Sequence, residues 1–260
     1  NDLPFSTKKN TFTSAMRIKN CFIVFGIVLV CYSSFGQNDF ESQLTHSTKY
    51  KAIDVIDSVH GIDIYERLNF RLSSDSVRNC KGYACNGLIK DYYDDGNVIH
   101  QGFYVDGQLN NYTNYYPNGK VERTFKIIDD FKSVMTLFYS SGTLKSIHKF
   151  DNIAFYYWED FYPNGQQSYL MEMSSDMEYP NAKKHWAENG QLLGEIVIEN
   201  KKDLTFQQND YHADGTSKIK GHLIYEQKLH SHTKHGKWEY YDEKGKLVKT
   251  EVYEHDILLE

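Results

Sequence analysis

Hydrophobic and polar positions in this chain follow one short cycle. A run of aromatic and β-branched residues leads to a polar turn ending in glycine, and a second run follows. The stretch "NYYPNGKVE" at 114–122 is a clear copy, and "DYYDDGNVI", "LFYSSGTLK", "DFYPNGQQS" and "EYYDEKGKLVK" repeat it. The turn glycines are Gly96, Gly119, Gly142, Gly165, Gly190, Gly215 and Gly245, spaced by 23, 23, 23, 25, 25 and 30 residues. Four residues before each stands an aromatic: Tyr92, Tyr115, Phe138, Phe161, Trp186, Tyr211 and Tyr241. Two residues after it stand Val98, Val121, Leu144, Leu192 and Leu247, with Gln167 and Ser217 as the exceptions.

A glycine between two such runs supplies the positive φ of a hairpin turn at little steric cost. The period of 23 residues holds two strands of about 6 to 8 residues and two short connections. It leaves no room for a crossover helix, so neighbouring strands are antiparallel. One hairpin is marginal in water, whereas stacked hairpins bury their faces against each other. The expected fold is therefore all-β, an antiparallel β-hairpin repeat array of about seven units over 82–260.

Upstream, the marker is missing. Residues 37–81 include "YKAIDVIDSVHGIDIYERLNFRL", whose Ile53, Val55 and Val59 fit a short helix or an edge strand. This segment is expected to cap the first open sheet edge. Before it, Met16-Arg-Ile-Lys-Asn20 is a short basic start and Cys21 to Tyr32 an apolar run. Ser34-Phe-Gly36 then frames a cleavage site before Gln37. Residues 16–36 thus read as a signal peptide, and 1–15 as an upstream extension outside the translated product. The apolar run is shorter than the roughly 18 residues of a membrane span, so no integral span is expected in the mature chain. Acylation at Cys31 is an alternative that Val30 disfavours. The expected location is the periplasm, the cell envelope or the exterior.

Composition adds that the chain is globular, with 40% hydrophobic and 25% charged residues and 21 Tyr. Cleavage would remove Lys8, Lys9, Arg17, Lys19 and Asp2, and so change the net charge from −6 to −9. An acidic product does not track phosphates, so neither nucleic acid nor an anionic membrane surface is an expected partner.

The stretches "NGLIKDYYDDGNVIHQGFYVDGQ" and "HGKWEYYDEKGKLVKTEVYEHD" resemble the MORN-repeat variant family. The likeness lies in Gly87, Tyr92-Tyr93, Gly96, Gly102-Phe103-Tyr104 and Gly107, and again in Gly236, Trp238, Tyr240-Tyr241 and Gly245. It covers about 82–260, although the middle units lack the Gly-x-Trp opening. Bacterial members with this spacing are commonly labelled "toxin–antitoxin system YwqK family antitoxin". The resemblance implies a hairpin array used for binding or scaffolding, with no catalytic residues and no cofactor.

Motif chemistry is sparse. No nucleophile elbow, zinc-protease helix, dinucleotide fingerprint or phosphate loop occurs. The acid pairs Asp94-Asp95 and Glu159-Asp160 read as solvated turn formers rather than a hydrolytic pair. His230, His232 and His235, with His222 nearby, are candidate metal ligands, because strand alternation puts His230 and His232 on one face. The competing reading is a solvated loop in the lengthened last unit. Cys80 and Cys85 in "NCKGYACNG" can close a small disulfide in an oxidising compartment, the alternative being two free thiols. Tyr93, Tyr116, Tyr139 and Tyr162 each follow the marker aromatic and are expected on the opposite, solvent-facing side. There they would form cross-strand pairs or a binding row for a protein or glycan partner. Taken together, these features predict an exported, non-catalytic scaffold for protein–protein or envelope interaction, with an antitoxin or immunity-type inhibitor as the alternative.

Overall fold

The computed structural model describes residues 49–260. The signal peptide with its cleavage site, Cys21, Cys31 and the first part of the cap segment lie outside the described residues. Among the described residues, no helix is long and apolar enough to cross a membrane.

Strand β1 (Lys49–Tyr50) comes first, and the short hairpin of β2 (Asn79–Cys80) and β3 (Tyr83–Ala84) precedes the array. Seven hairpins then follow in chain order. They are β4 (Gly87–Tyr93) with β5 (Val98–Val105), β6 (Gln108–Tyr115) with β7 (Val121–Ile127), and β8 (Lys132–Phe138) with β9 (Leu144–Asp151). Next come β10 (Ala154–Phe161) with β11 (Gln167–Met173), and β12 (Pro180–Trp186) with β13 (Leu192–Asn200). The last two are β14 (Thr205–Tyr211) with β15 (Ser217–Glu226), and β16 (Ser231–Tyr241) with β17 (Leu247–Glu254), after which β18 (Ile257–Leu258) closes the order. β1 and β4 to β18 form one 16-stranded sheet in which each strand from β4 on lies beside its sequence neighbour and β1 pairs parallel to β4, while β2 and β3 pair only with each other. This is the expected hairpin array.

The recurrent turn has a common chemistry. At Gly119, φ is +78°, its amide donates to the Tyr116 carbonyl at 2.9 Å, and the Tyr116 amide donates to the Lys120 carbonyl at 2.8 Å. These bonds define a three-residue loop with a glycine bulge, which matches the shift in strand register between Asn114 and Tyr115. The residue before glycine completes it: Asn118 Oδ1 accepts from the Lys120 amide at 3.0 Å. Asp95, Asn164, Asn189 and Asp214 accept in the same way from Asn97, Gln166, Gln191 and Thr216. Asp-Gly and Asn-Gly recur because the short side chain and the positive φ serve one turn.

The tyrosine row departs from its expected place. The Tyr93 side chain is buried, 2% exposed, and its hydroxyl donates to the Tyr115 carbonyl at 2.7 Å. Tyr116, Tyr139 and Tyr162 donate to the carbonyls of Phe138, Phe161 and Trp186 at 2.9, 2.7 and 2.9 Å. Each hydroxyl therefore bonds the marker aromatic of the next hairpin. The bulge explains the difference, because these residues lie at the turn, where strict alternation no longer fixes the face. His212 takes the same role with its Nε2 donating to the Tyr241 carbonyl at 3.1 Å, whereas Ala187 has no side-chain donor and interrupts the series.

The segment before the array also differs from a simple edge cap. Among the described residues, only Lys49 and Tyr50 pair along the β4 edge, opposite Tyr92 and Tyr93. A one-turn helix (Ala52–Val55) and two 3-10 turns (Ile64–Leu68 and Phe70–Leu72) follow. These turns and the link between them contribute Val55, Ile62, Tyr65 and Leu68 to a buried cluster with Ile99, Tyr104, Tyr112, Phe125 and Phe150 of the sheet. The cap thus covers one face of the first hairpins as well as their edge. A second cluster of Tyr179, Phe206, Leu223, Tyr225 and Trp238 holds the C-terminal hairpins.

Candidate functional site

One row of cross-strand neighbours on the capped face reads Asp91, His100, Asn114, Arg123, Leu137, Ser146 and Asp160. Its first part lies beneath the cap. Arg78 grips Asp91 through two nitrogens at 2.6 and 2.8 Å, and the Tyr65 hydroxyl donates to the same carboxylate at 3.0 Å. Arg78 also donates to the Tyr104 hydroxyl at 3.2 Å, and that hydroxyl meets His100 Nε2 at 3.0 Å. His100 Nδ1 meets Asn114 Oδ1 at 2.7 Å, and Asn114 Nδ2 donates to the Ile62 carbonyl at 3.1 Å. Proton roles then follow in one order: Nδ1–H donates to the amide oxygen, and Nε2 accepts from the tyrosine. Burial pushes the His100 pKa down to about 4, so the ring is neutral and stacks on Tyr65 with centroids 3.7 Å apart. The neighbouring ion network of Glu122, Arg123 and Glu66 ties the cap to β7 through the Ile62 amide and the His60 carbonyl. These groups hold the cap to the sheet.

At the edge of the cap the same row opens into a groove of about 630 Å³ between the cap residues Val59, His60, Asp63, Glu66 and Leu72 and strands β8 to β11. Its walls include Met135, Leu137, Phe150, Phe155, Trp158 and Tyr139. Ser146, His148 and Asp160 lie within it, so a serine, a histidine and an aspartate share one site. Ser146 Oγ bridges His148 Nε2 at 2.7 Å and Asp160 Oδ1 at 2.5 Å, and Trp158 Nε1 donates to the same oxygen at 2.8 Å. Burial lowers the His148 pKa to about 4, with Asp160 pulling it up and Arg123 down. The order is Asp–Ser–His, with the carboxylate on the hydroxyl rather than behind the imidazole. Ser146 Oγ also reaches the Glu159 carbonyl at 3.2 Å, and the carboxylate meets the hydroxyl instead of backing the imidazole, which differs in order from a Ser-His-Asp triad.

Asp160 is not the solvated turn former that its pairing with Glu159 suggests; it lies within β10, bonded to Trp158. The histidine candidates do not converge. His222 and His235 are cross-strand partners, but His222 meets Glu199 at 3.1 Å and His235 lies beside His255. His230 occupies the connecting turn with φ +50°. His232 packs on Phe206 and Tyr225 with its pKa lowered to about 4 by burial. The insertion extends two paired strands instead of forming a loop, and alternation separates His232 from His235. Among the described residues, no group of three His, Cys, Asp or Glu is arranged to hold a metal ion. Cys80 and Cys85 are joined in a disulfide across the β2–β3 hairpin, next to the Arg78 carbonyl that accepts from the Cys85 amide at 2.9 Å.

Comparison with known proteins adds the following. No curated protein matches the chain. Among solved structures, S. aureus TarM in complex with fondaparinux, alpha-GlcNAc-glycerol and UDP is similar at 13% identity and TM-score 0.23, over 62% of this chain and 25% of that one. A porin-like protein from Bacteroides uniformis is similar at 11% identity and TM-score 0.21, over 66% of this chain and 85% of that one. The chain thus spans about a quarter of the length of the first. The MORN repeat variant family matches at 86–106, 109–125 and 234–255, which are the first two hairpins and the last. The chain carries MORN-variant repeats at these three places.

Proposed function

We propose that the chain is an exported, non-catalytic scaffold that binds another protein. The observation that supports this reading is the aromatic groove that opens between the end of the cap and strands β8 to β11. The groove's one serine–histidine–aspartate set is wired as a bridge. MORN repeats are in general interaction modules, which agrees with this use of the sheet. Export rests on the signal-peptide pattern of 16–36. An antitoxin role is the other reading and requires a cytoplasmic chain that keeps 16–36. Fractionation of the native host with N-terminal sequencing separates the two: a product starting at Gln37 in the envelope or medium supports export, and an intact cytoplasmic chain supports the antitoxin. Crosslinking in the same fractions tests the scaffold, because failure to retain any protein contradicts it.

A further inference from the structure

The groove carries a charge that the protein itself does not neutralise. Asp160 takes both of its donors, Ser146 Oγ and Trp158 Nε1, on Oδ1. Its Oδ2 has no protein donor among the described residues and is not a buried orphan. Nor does Asp160 form an ion pair among the described residues. Neither cation on the walls pairs with it: Lys145 Nζ donates to the Val59 carbonyl at 3.3 Å and lies 5.9 Å from the Tyr139 ring centre, while Arg123 is held by Glu122 and Glu66. Asp63 and Glu66 add two more carboxylates to the lining, so acids outnumber bases on these walls. His148 is neutral at ordinary pH.

Around this carboxylate stand π faces. Phe155 and Trp158 stack at 5.8 Å and 28°, Phe155 and Phe150 lie 4.8 Å apart, and Tyr169 meets Trp158 edge-on at 5.7 Å. Rings attract a cation through their quadrupoles, and the attraction is largest where water is excluded. A carboxylate fixed by two donors adds the opposite charge without reorganising. The opening is of the size that encloses small ligands or single side chains.

From this geometry we infer that the groove binds an alkylammonium group, with the apolar stem against Phe150 and Phe155 and the ammonium on Asp160 Oδ2 beside Trp158. A neutral ligand leaves the carboxylate unpaired, and an anion is repelled by it. The inference gives the chemistry of the contact in the scaffold reading and rests on that reading only for the source of the cation, which there is a lysine side chain of the partner.

The test uses n-butylammonium chloride as probe and the indole Nε1–H signal of Trp158 in a ¹H–¹⁵N spectrum, assigned with Trp158→Phe. The expected result is a saturable shift at millimolar butylammonium, no saturable shift with the isosteric 1-butanol, and binding weakened about tenfold or more by Asp160→Asn. The asparagine keeps an acceptor for Ser146 and Trp158, and the 1-butanol comparison needs no variant. Nα-acetyl-lysine methylamide identifies the source: binding of this probe supports a partner lysine, and binding of butylammonium alone supports a free amine. Equal binding of 1-butanol, unchanged affinity in Asp160→Asn, or no saturable shift with butylammonium overturns the inference. The titration contains no partner protein, so its failure leaves the crosslinking result to decide the scaffold reading separately.

Discussion

Replacing Tyr93 with Phe deletes one oxygen atom and keeps the ring. In the native array that oxygen bonds the Tyr115 carbonyl at 2.7 Å inside a site that is 2% exposed. The change removes a bond and leaves a carbonyl without this donor where water does not easily replace it, so the cost is about 1–3 kcal/mol. Tyr139→Phe deletes the equivalent bond to Phe161 at 2.7 Å in a half-buried position, where water reaches the carbonyl and the net cost falls to about 0.5–1.5 kcal/mol. Ala187→Tyr restores the missing donor opposite Tyr211 and is expected to stabilise by up to about 1 kcal/mol. The control is Tyr83→Phe, 80% exposed, which should shift stability by less than about 0.5 kcal/mol. Urea unfolding followed by circular dichroism reads the order, and each kcal/mol corresponds to about 2–4 °C in Tm for a chain of this size. Equal stability of Tyr93→Phe and Tyr83→Phe would refute the claim that the hydroxyl row joins successive hairpins.

Three further outcomes follow from the buried groups. Burial lowers the pKa of His100, His148 and His232 to about 4, against about 6.5 for a free imidazole. Depressed folded values mean that the unfolded chain binds more protons between these limits, so the stabilisation is complete above pH 6.5 and is lost as pH falls toward 4. The fully buried His100 alone accounts for about 3 kcal/mol, and a urea midpoint that does not fall across this window contradicts its neutral role. Gly221→Ala places a Cβ 2.3 Å from the Trp238 ring, which costs about 1–3 kcal/mol through overpacking and shifts the tryptophan emission; an unchanged melt and spectrum would rule out that close approach. Reducing Cys80–Cys85 frees a loop of sequence separation 5 and lowers stability by about 2 kcal/mol on the chain-entropy relation, which paired denaturation curves with and without dithiothreitol will measure.

The repeat was legible because its turn is fixed by local chemistry. Gly119 must take positive φ and Asn118 must accept from the following amide, so the period appears in the sequence wherever the turn does. The side of Tyr93 was not legible, since a glycine bulge interrupts the two-residue alternation on which the expectation rested. Cap contacts were hidden for another reason: Ile62 meets Asn114 across 52 residues of chain and Tyr65 meets Asp91 across 26, and no local pattern records which face they share. Asp160 looked like half of a turn pair until the strand register placed it beside Ser146 and under Trp158. The histidines misled in the opposite direction, because strand alternation was carried back to His230, which lies in the turn before β16, and His232 and His235, three residues apart, fall on opposite faces.

The central claim is that the groove-bearing face of this array is where a partner binds. Its most direct measurement is crosslinking capture from the native host with three purified proteins: wild type, Asp160→Lys in the groove, and Thr124→Lys on the opposite face, where Thr113, Thr124 and Thr136 form a cross-strand row. The account predicts that one and the same partner is retained by wild type and by Thr124→Lys, and is lost with Asp160→Lys while the melting curve of that variant stays native. Capture by Asp160→Lys at the wild-type level, or loss with Thr124→Lys instead, would contradict it.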